Sequence, residues 1–310
     1  MRIEYASSID LGTRVSRLNL PNPTMLASGI LGMSAETLRE VANAGAGAVV
    51  TKSISLKPNS GYPNPTVIQV ECGLLNAVGL PNPGVYKFIE EIKALKDINV
   101  PLIVSVFGFS PEEYAEVARL AIEAGANAVE LNLSCPHFKG TGAEIGQDPD
   151  MIRLTVKAVK DQVDKPVFAK LTPNTAHIVD LAEAAVSAGA DAITAINTVK
   201  AMAIDVETFK PILANRFGGL SGAAIKPIAV RCVYEIYEVV NVPIIGCGGV
   251  RDWRDAVELM LAGASAIQIG SSIALDGLSV FKSICEGIHA YLDRKGFRSV
   301  KEIVGLAHKK

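Results

Sequence analysis

The amino-acid sequence predicts an α/β fold of the (β/α)8, or TIM, barrel class. The pattern A-G-A-x-A occurs four times along the chain, at 44–48, 124–128, 188–192 and 262–266. Each copy follows a helix-like stretch and precedes an apolar run, which is typical of a helix that ends at a glycine and returns as a buried strand. Eight apolar runs alternate in this way with amphipathic stretches such as PEEYAEVARLAIEAG, as the eight units of a barrel require.

The predicted strands are continuous apolar runs, because parallel strands that lie between helices are buried on both faces. An N-terminal extension precedes the first of them. An open doubly wound sheet is the competing fold, and the absence of an early G-x-G-x-x-G turn disfavours it. In chain order the predicted strands cover 24–29, 48–53, 101–108, 128–134, 166–173, 192–198, 242–249 and 266–272.

Two connections are long for a barrel, namely 53–83 after the second strand and 199–224 after the sixth. Connections of this length usually form lids or binding loops. Since no tract rich in serine, proline and glycine divides the chain, we expect residues 1–310 to form a single domain.

Composition and charge exclude several classes of function. The formal net charge is −2 and the basic residues are dispersed, whereas a nucleic-acid-binding surface needs clustered lysine and arginine. The sequence has no 18-residue apolar stretch and no signal-peptide pattern, so we expect a cytoplasmic protein that does not bind a membrane. The five cysteines are scattered without a C-x-x-C pair, which favours reduced thiols over disulfides, a metal site or an iron–sulfur cluster on this chain.

Polar residues interrupt the apolar runs where the strands end, and in a barrel those ends carry the active site. Lysines and amides in such strands are costly to bury unless they bind something. The residues at the predicted strand ends are Ser28, Lys52, Ser105, Asn132, Lys170, Asn197, Gly248, Gly249, Gly270 and Ser271.

The glycines that end the last two strands favour a phosphate site, which barrels often build there from backbone N–H groups. Lys170 has two interpretations at this stage. Its cation could stabilise negative charge on a reduced flavin, or its amine could form a Schiff base as in barrel aldolases.

A set of motifs in fixed order adds a resemblance that runs over essentially the whole chain. The sequence resembles the class 1 dihydroorotate dehydrogenases, which are flavin enzymes of pyrimidine synthesis. The motifs are ASG at 27–29, TKS at 51–53, NAVGLPNPG at 76–84, NLSCP at 132–136, KLTPN at 170–174, INT at 196–198, GGLSGAAIKP at 218–227, GCGG at 246–249 and IGSS at 269–272.

The resemblance implies one bound FMN per chain and no metal. It places the FMN phosphate at Gly222, Gly248, Gly249, Gly270 and Ser271. Position 105 is commonly asparagine in similar enzymes, so Ser105 is a departure. The residues implied around the flavin are Ser28, Lys52, Ser53, Ser105, Asn132, Lys170 and Ile196.

The same resemblance implies that Cys135, in NLSCP, is the base that removes a proton from dihydroorotate while a hydride passes to the flavin. Amides suit the imide edge of a pyrimidine because they both donate and accept hydrogen bonds. His137 stands where the family usually has asparagine, and we leave it out of the site. The implied substrate residues are Lys52, Asn76, Ala77, Val78, Gly79, Leu80, Asn132, Asn197 and Thr198.

Members of this family differ in the electron acceptor that they use. The segments NPG at 82–84 and 218–227 look more like the NAD-linked subgroup, in which a homodimer joins an iron–sulfur flavoprotein to form a heterotetramer. FAD and a [2Fe–2S] cluster are then expected only on that partner. Three alternatives stay open: a fumarate-linked class 1A homodimer, a related FMN-dependent dihydropyrimidine dehydrogenase, and a non-redox Schiff-base lyase.

Overall fold

The computed structural model describes residues 9–133 and 145–309. Within them, eight parallel strands close into a barrel, each of them inside one of the eight predicted runs or overlapping it, so the predicted (β/α)8 fold is confirmed. The barrel order is β3-β4-β7-β8-β9-β10-β15-β16. Numbered along the chain, the strands are β1 (Thr13–Val15), β2 (Leu18–Leu20), β3 (Thr24–Leu26), β4 (Ala48–Val50), β5 (Val67–Val70), β6 (Gly73–Asn76), β7 (Leu102–Val106), β8 (Ala128–Asn132), β9 (Val167–Leu171), β10 (Ala192–Ala195), β11 (Val199–Ala201), β12 (Ile204–Asp205), β13 (Lys210–Pro211), β14 (Gly218–Ser221), β15 (Ile244–Cys247) and β16 (Ala264–Ile269).

Helices cover the outside of the barrel, and several of them begin at a residue whose side chain caps the first turn. Ser34 and Ser110 each accept a hydrogen bond from a backbone N–H of the first turn, and Asp252 does the same within a capping box with Asp255. The helices are α1 (Ala35–Asn43), α2 (Val85–Ala94), α3 (Pro111–Ala124), α4 (Pro149–Lys160), α5 (Ile178–Ser187), α6 (Lys226–Tyr237), α7 (Trp253–Leu261), α8 (Ser271–Asp276) and α9 (Val280–Lys295), with 3-10 turns at Ala223–Ile225, Val300–Ile303 and Leu306–His308.

The A-G-A-x-A repeat marks the turn from helix to strand in four units. Its glycines, Gly45, Gly125, Gly189 and Gly263, have φ between 100° and 126°, a backbone region that side chains disfavour. The repeat therefore fixes where α1, α3, α5 and α7 end, and the next strand begins within a few residues.

The barrel interior changes from apolar to polar along its axis. At one end the hairpin β1–β2 packs Val15 and Leu20 against barrel residues such as Met25 and Phe168. Further along, the interior holds buried polar residues instead, including Glu130 and Lys170. The polar layer lies toward the C-terminal ends of the strands, where barrel enzymes carry their chemistry.

The two long connections pair with each other in a four-stranded antiparallel sheet of order β11-β14-β6-β5. Gly219 in the second connection lies opposite Asn76 in the first. Residues of this sheet and of the barrel strand ends line one cavity, so the connections complete the wall of the site. Among the helices of the described ranges, none is long and apolar enough to cross a membrane.

Candidate functional site

The C-terminal ends of the barrel strands surround a cavity of about 360 Å³, within the usual size range of small-molecule sites. Its lining includes most of the residues that sequence reasoning placed at the site. These are Ser28, Lys52, Ser53, Asn76, Val78, Gly79, Leu80, Asn132, Lys170, Ile196, Asn197, Thr198, Gly222, Gly248, Gly249, Gly270 and Ser271.

The cavity floor carries a buried ion pair. Lys170 on β9 lies 3.5 Å from Glu130 on β8, measured from Nζ to Oε1, and both side chains are almost fully buried. Gln268 on β16 bridges them: its Oε1 accepts a hydrogen bond from Lys170 Nζ at 2.7 Å, and its Nε2 donates to Glu130 Oε2 at 2.5 Å. Thr194 also donates to Glu130 Oε2, at 2.9 Å. The floor therefore holds a cation whose compensating anion lies deeper in the barrel.

Burial and charge act on Lys170 in opposite directions. Burial lowers the pKa of the Lys170 ammonium, but the negative charge of Glu130 outweighs burial and raises the pKa overall. Burial raises the pKa of the Cys247 thiol itself. Lys170 is therefore a permanent cation at neutral pH.

Lys52 follows β4 and presents a second ammonium to the cavity. Among the described residues, no hydrogen-bond acceptor or carboxylate pairs with its Nζ. Burial lowers the pKa of Lys52. A partly desolvated and unpaired ammonium is suited to an anionic group of a ligand.

A chain of amides and hydroxyls continues from β8. Asn132 Nδ2 donates to Ser53 Oγ at 2.9 Å, and Ser53 Oγ lies 2.9 Å from Ser105 Oγ. Asn197 Nδ2 donates to Asn132 Oδ1 at 3.3 Å. The Asn132 carbonyl accepts from Tyr114 OH at 2.9 Å, which fixes the strand end. These contacts orient the two amides toward the cavity.

The segment 76–80 is held by the neighbouring loops. Asn76 Nδ2 donates to the Gly219 carbonyl at 3.1 Å, and Asn59 Nδ2 donates to the carbonyls of Gly79 and Leu80 at 2.9 and 3.2 Å. We call the residues Lys52, Asn76, Asn132, Lys170 and Asn197 the lysine–amide wall. Its functional groups are side chains whose positions are fixed by hydrogen bonds or burial.

Four glycines and a serine form another part of the cavity lining. Gly222, Gly248, Gly249, Gly270 and Ser271 line it, and we call this set the glycine end. Among the described residues, no acceptor receives a hydrogen bond from the backbone N–H groups of Gly248, Gly249 or Gly270. Free N–H groups of this kind are the donors that anion sites use.

Close packing explains why Gly249 must lack a side chain. Its φ is 75°, and an added Cβ would lie 2.6 Å from Lys226 Cβ and 2.7 Å from Lys226 N. Lys226 cannot easily retreat, since its Nζ pairs with Asp255 at 2.9 Å and Glu258 at 2.8 Å. At Gly270 an added Cβ would meet only Ala27 Cβ, at 3.5 Å. Glycine at 270 thus leaves space in the cavity.

Two of the predicted site residues, Ser105 and Ala77, lie away from the cavity lining, and the position of Cys135 is untested. Ser105 is fully buried behind Ser53 and does not line the cavity. Ala77 is buried in a small apolar cluster with Leu75 and Leu213. Cys135, the predicted base, lies outside the described residues, as does His137.

Sequence reasoning missed the partners of Lys170. Glu130 and Gln268 lie within the strands, whereas only the strand ends were searched. A charged residue inside the apolar run AVELN is the signal that could have revealed Glu130. Other lining residues that were not predicted are Ala27, Gly29, Ile30, Val67, Leu74, Ser221, Ile225, Cys247, Val250 and Ala274.

Comparison with known proteins settles the family. The family model described as dihydroorotate dehydrogenase matches residues 10–292. The chain belongs to the dihydroorotate dehydrogenase family. It is 56% identical over 292 residues to the protein of Pyrococcus furiosus named dihydroorotate dehydrogenase B (NAD(+)), catalytic subunit, covering 94% of this chain and 97% of that one. The protein of the same name from Methanothermobacter thermautotrophicus is 54% identical over 300 residues, covering 96% and 98%.

A solved structure of another dihydroorotate dehydrogenase supports the fold. The crystal structure of the Eimeria tenella enzyme in complex with ferulenol superposes with a TM-score of 0.85. It is 23% identical in sequence and covers 97% of this chain and 89% of that one. At this identity the likeness supports the barrel alone.

The residues of the cavity fit the flavin that the dihydroorotate dehydrogenase resemblance implies. The glycine end offers free N–H groups and, at Gly270, space that a side chain would fill. The lysine–amide wall offers the buried cation of Lys170, which suits the ring edge that becomes negative on reduction. A phosphate and a planar ring thus find complementary groups in the lining of one cavity.

Proposed function

We propose that this chain oxidises dihydroorotate to orotate in pyrimidine biosynthesis, with one FMN bound in the barrel domain formed by residues 1–310. The observation that carries the proposal is that one cavity contains the Lys52 ammonium, which no described residue pairs, together with oriented amides and the buried cation of Lys170. Its relatives at more than half identity are named NAD-linked dihydroorotate dehydrogenase catalytic subunits.

FMN, when bound, supplies the hydride acceptor. The glycine end would hold its phosphate through Gly222, Gly248, Gly249, Gly270 and Ser271. Ser28, Lys52, Ser53, Asn132, Lys170 and Ile196 would surround its ring, with Ser105 supporting Ser53 from behind.

Lys52 would bind the carboxylate of dihydroorotate, because it is the unpaired cation of the described cavity lining. The amides of Asn76, Asn132 and Asn197, with Thr198 and the backbone of 77–80, would hold the imide edge. This arrangement favours dihydroorotate over dihydrouracil, since dihydrouracil has no carboxylate to pair with Lys52.

Cys135 would remove the proton from C5 of dihydroorotate. It comes three residues after Asn132, whose amide is fixed at the cavity, so the thiol follows the strand end that contacts the substrate. A thiolate is an adequate base near neutral pH when its surroundings favour ionisation.

The protonation state of Lys170 favours a redox role over Schiff-base chemistry. A Schiff-base lysine needs a neutral amine, and burial near another cation usually provides it. Here the pKa of Lys170 is instead raised overall, because Glu130 offsets the effect of burial. The cation is thus suited to stabilising negative charge.

Electrons would leave through a partner subunit. The names of the relatives pair NAD(+) with the words catalytic subunit. We infer a cytoplasmic homodimer joined to an iron–sulfur flavoprotein that carries FAD and a [2Fe–2S] cluster, because the described residues hold no group of side chains that could ligate a metal.

Steady-state assays with different acceptors test this proposal. The purified chain should oxidise dihydroorotate with artificial dyes but reduce NAD poorly, and the iron–sulfur flavoprotein should restore NAD reduction. Efficient fumarate turnover without a partner would instead support the fumarate-linked homodimer. Failure to oxidise dihydroorotate with any acceptor would contradict the function itself.

A further inference from the structure

The buried carboxylate of Glu130 is incompletely paired. Its side chain is 0% exposed and its Oε2 accepts from Thr194 and Gln268. Its Oε1 has no hydrogen-bond partner among the described residues, and the nearest cation, Lys170 Nζ, is 3.5 Å away. A carboxylate buried in this way is costly unless a charge compensates it, so its presence calls for a function.

Gln268 is locked in one orientation by the charges on either side. Its carbonyl oxygen faces the Lys170 ammonium, and its amide nitrogen faces the Glu130 carboxylate. The flipped amide would place an N–H group against the ammonium and an oxygen against the carboxylate, which would remove both hydrogen bonds. The Glu130 carboxylate therefore fixes the orientation of the Gln268 amide, and that amide fixes the position of the Lys170 ammonium.

Lys170 is held between this bridge and the cavity. Its Nζ donates to Gln268 at 2.7 Å and lies 3.3 Å from Ser28 Oγ, a residue of the cavity lining. The 3.5 Å separation from Glu130 is an ion-pair distance and too long for a strong hydrogen bond. The ammonium thus retains an N–H group that can donate to a ligand, while the Glu130 carboxylate balances its charge.

We propose that Glu130, acting through Gln268, is a positioning residue that holds the Lys170 cation at the cavity floor and sets the net charge beneath the flavin ring. This inference rests on the proposed function. It assigns a role to Glu130 and Gln268, which lie within strands β8 and β16. It also predicts that the flavin reduction potential depends on pH in a way that packing alone would not produce.

Two titratable groups act on Lys170 among the described residues: Glu130 from β8 and Cys247 from β15. Burial raises the pKa of Cys247, so its thiol stays neutral at physiological pH. Lys52 lines the same cavity but contributes no resolved effect on Lys170. Removing the charge of Glu130 would leave burial as the main influence, and burial lowers the pKa of Lys170.

The first test uses protein without flavin, so that its result is independent of the proposed function. Lysine labelled at Cε is titrated by NMR, and the Lys170 signal is assigned from its loss in Lys170→Met. In Glu130→Gln the Lys170 midpoint should fall relative to wild type, whereas Glu130→Asp, which keeps the charge, should stay closer to wild type.

The second test measures the flavin reduction potential as a function of pH in loaded protein. Below the Lys170 midpoint, Glu130→Gln adds net positive charge and should favour reduced over oxidised FMN by about tenfold, or about 30 mV for two electrons. As pH rises through the Lys170 midpoint of the variant, this increase should be lost, because the neutral lysine and the introduced glutamine then carry no net charge, like the wild-type ion pair.

Thr194→Val is the matched control, because it removes a hydrogen bond to Glu130 without changing charge. It should leave the Lys170 midpoint and the potential close to wild type. If Glu130→Gln does not fold, Gln268→Met replaces it and should also lower the midpoint. A Lys170 midpoint that stays at the wild-type value in the charge-removing variant, or a Thr194→Val shift of equal size, would overturn the inference.

Discussion

The lysine–amide wall and the glycine end recognise ligands by opposite means. On the wall, specific side chains such as Lys52 and Asn132 present charge and amide groups. At the glycine end, backbone N–H groups have no partner among the described residues, and close packing leaves no room for a side chain at Gly249. The wall is therefore sensitive to the chemistry of a residue, and the glycine end is sensitive to its size.

Because of this difference, we expect substitutions in the two regions to have different effects, one mainly on catalysis and the other mainly on flavin binding. Substitutions on the wall, whose residues would contact both the flavin ring and the substrate, should change rate, substrate affinity or potential more than flavin content. Substitutions at the glycine end should change flavin content first. Each of the following experiments can contradict this expected difference between the two regions.

The largest effect is expected at Cys135, the proposed base that follows the wall strand β8. Cys135→Ala should lower the rate of dihydroorotate oxidation by about 10²–10⁴ at saturating substrate, because a general base is lost. Flavin content should stay at the wild-type level, and Cys135→Ser should recover a little activity at high pH. Turnover near wild type in Cys135→Ala would remove the thiol from the mechanism.

Gly249 provides the corresponding test at the glycine end. Gly249→Ala should purify with little flavin, since its Cβ would collide with the backbone of Lys226 and displace the turn. The visible flavin absorbance per chain measures the loss. Gly270→Val should also lose flavin but melt, as apo-protein, near wild type, because the protein itself has space at that position.

Gly296→Ala is a matched control for backbone strain. Gly296 has φ 77°, close to the 75° of Gly249, but an added Cβ there meets no atom within 4 Å. It should cost about 1 kcal/mol of stability and leave flavin content unchanged. Equal flavin loss in both alanine variants would show that strain, and not the collision with Lys226, decides cofactor binding.

A smaller effect is expected at Lys52. Lys52→Met should raise KM for dihydroorotate by about 10-fold to 100-fold, since a charged hydrogen bond to the carboxylate is worth about 1.5–3 kcal/mol. It should lower kcat less. Lys210→Met, at an exposed position, is the control and should change neither KM nor kcat. A KM unchanged in Lys52→Met would place the carboxylate elsewhere.

The pH dependence of KM sharpens the same assignment. Burial lowers the pKa of Lys52, so the cation that binds the carboxylate is present below that pKa and is lost as pH rises through it. KM of the wild type should therefore rise at a lower pH than the ordinary pKa of lysine. Lys52→Met should lack this rise.

The barrel and most of the cavity could be predicted from sequence because their signals are local. Each buried strand is a continuous apolar run, and each glycine of the repeat marks a helix end. Residues at strand ends converge by topology alone, which is why Lys52, Asn132 and Lys170 were found together.

The remaining features depend on pairings between distant residues. The sheet that joins β6 to β14 brings Asn76 opposite Gly219, and no local pattern encodes that register. The contact of Glu130 with Lys170 requires knowing which side chains point into the barrel, and the bridge by Gln268 joins strands far apart in the chain. These contacts exist only because the closed barrel brings β8, β9 and β16 together around one interior, which no local sequence pattern shows.

The central claim is that this cavity oxidises dihydroorotate, and anaerobic titration of the purified chain tests it most directly. One equivalent of dihydroorotate should bleach the visible absorbance of the bound flavin, while dihydrouracil, which lacks the carboxylate, should bleach it far more slowly. Flavin that stays oxidised with dihydroorotate, or that is bleached equally fast by dihydrouracil, would contradict the account.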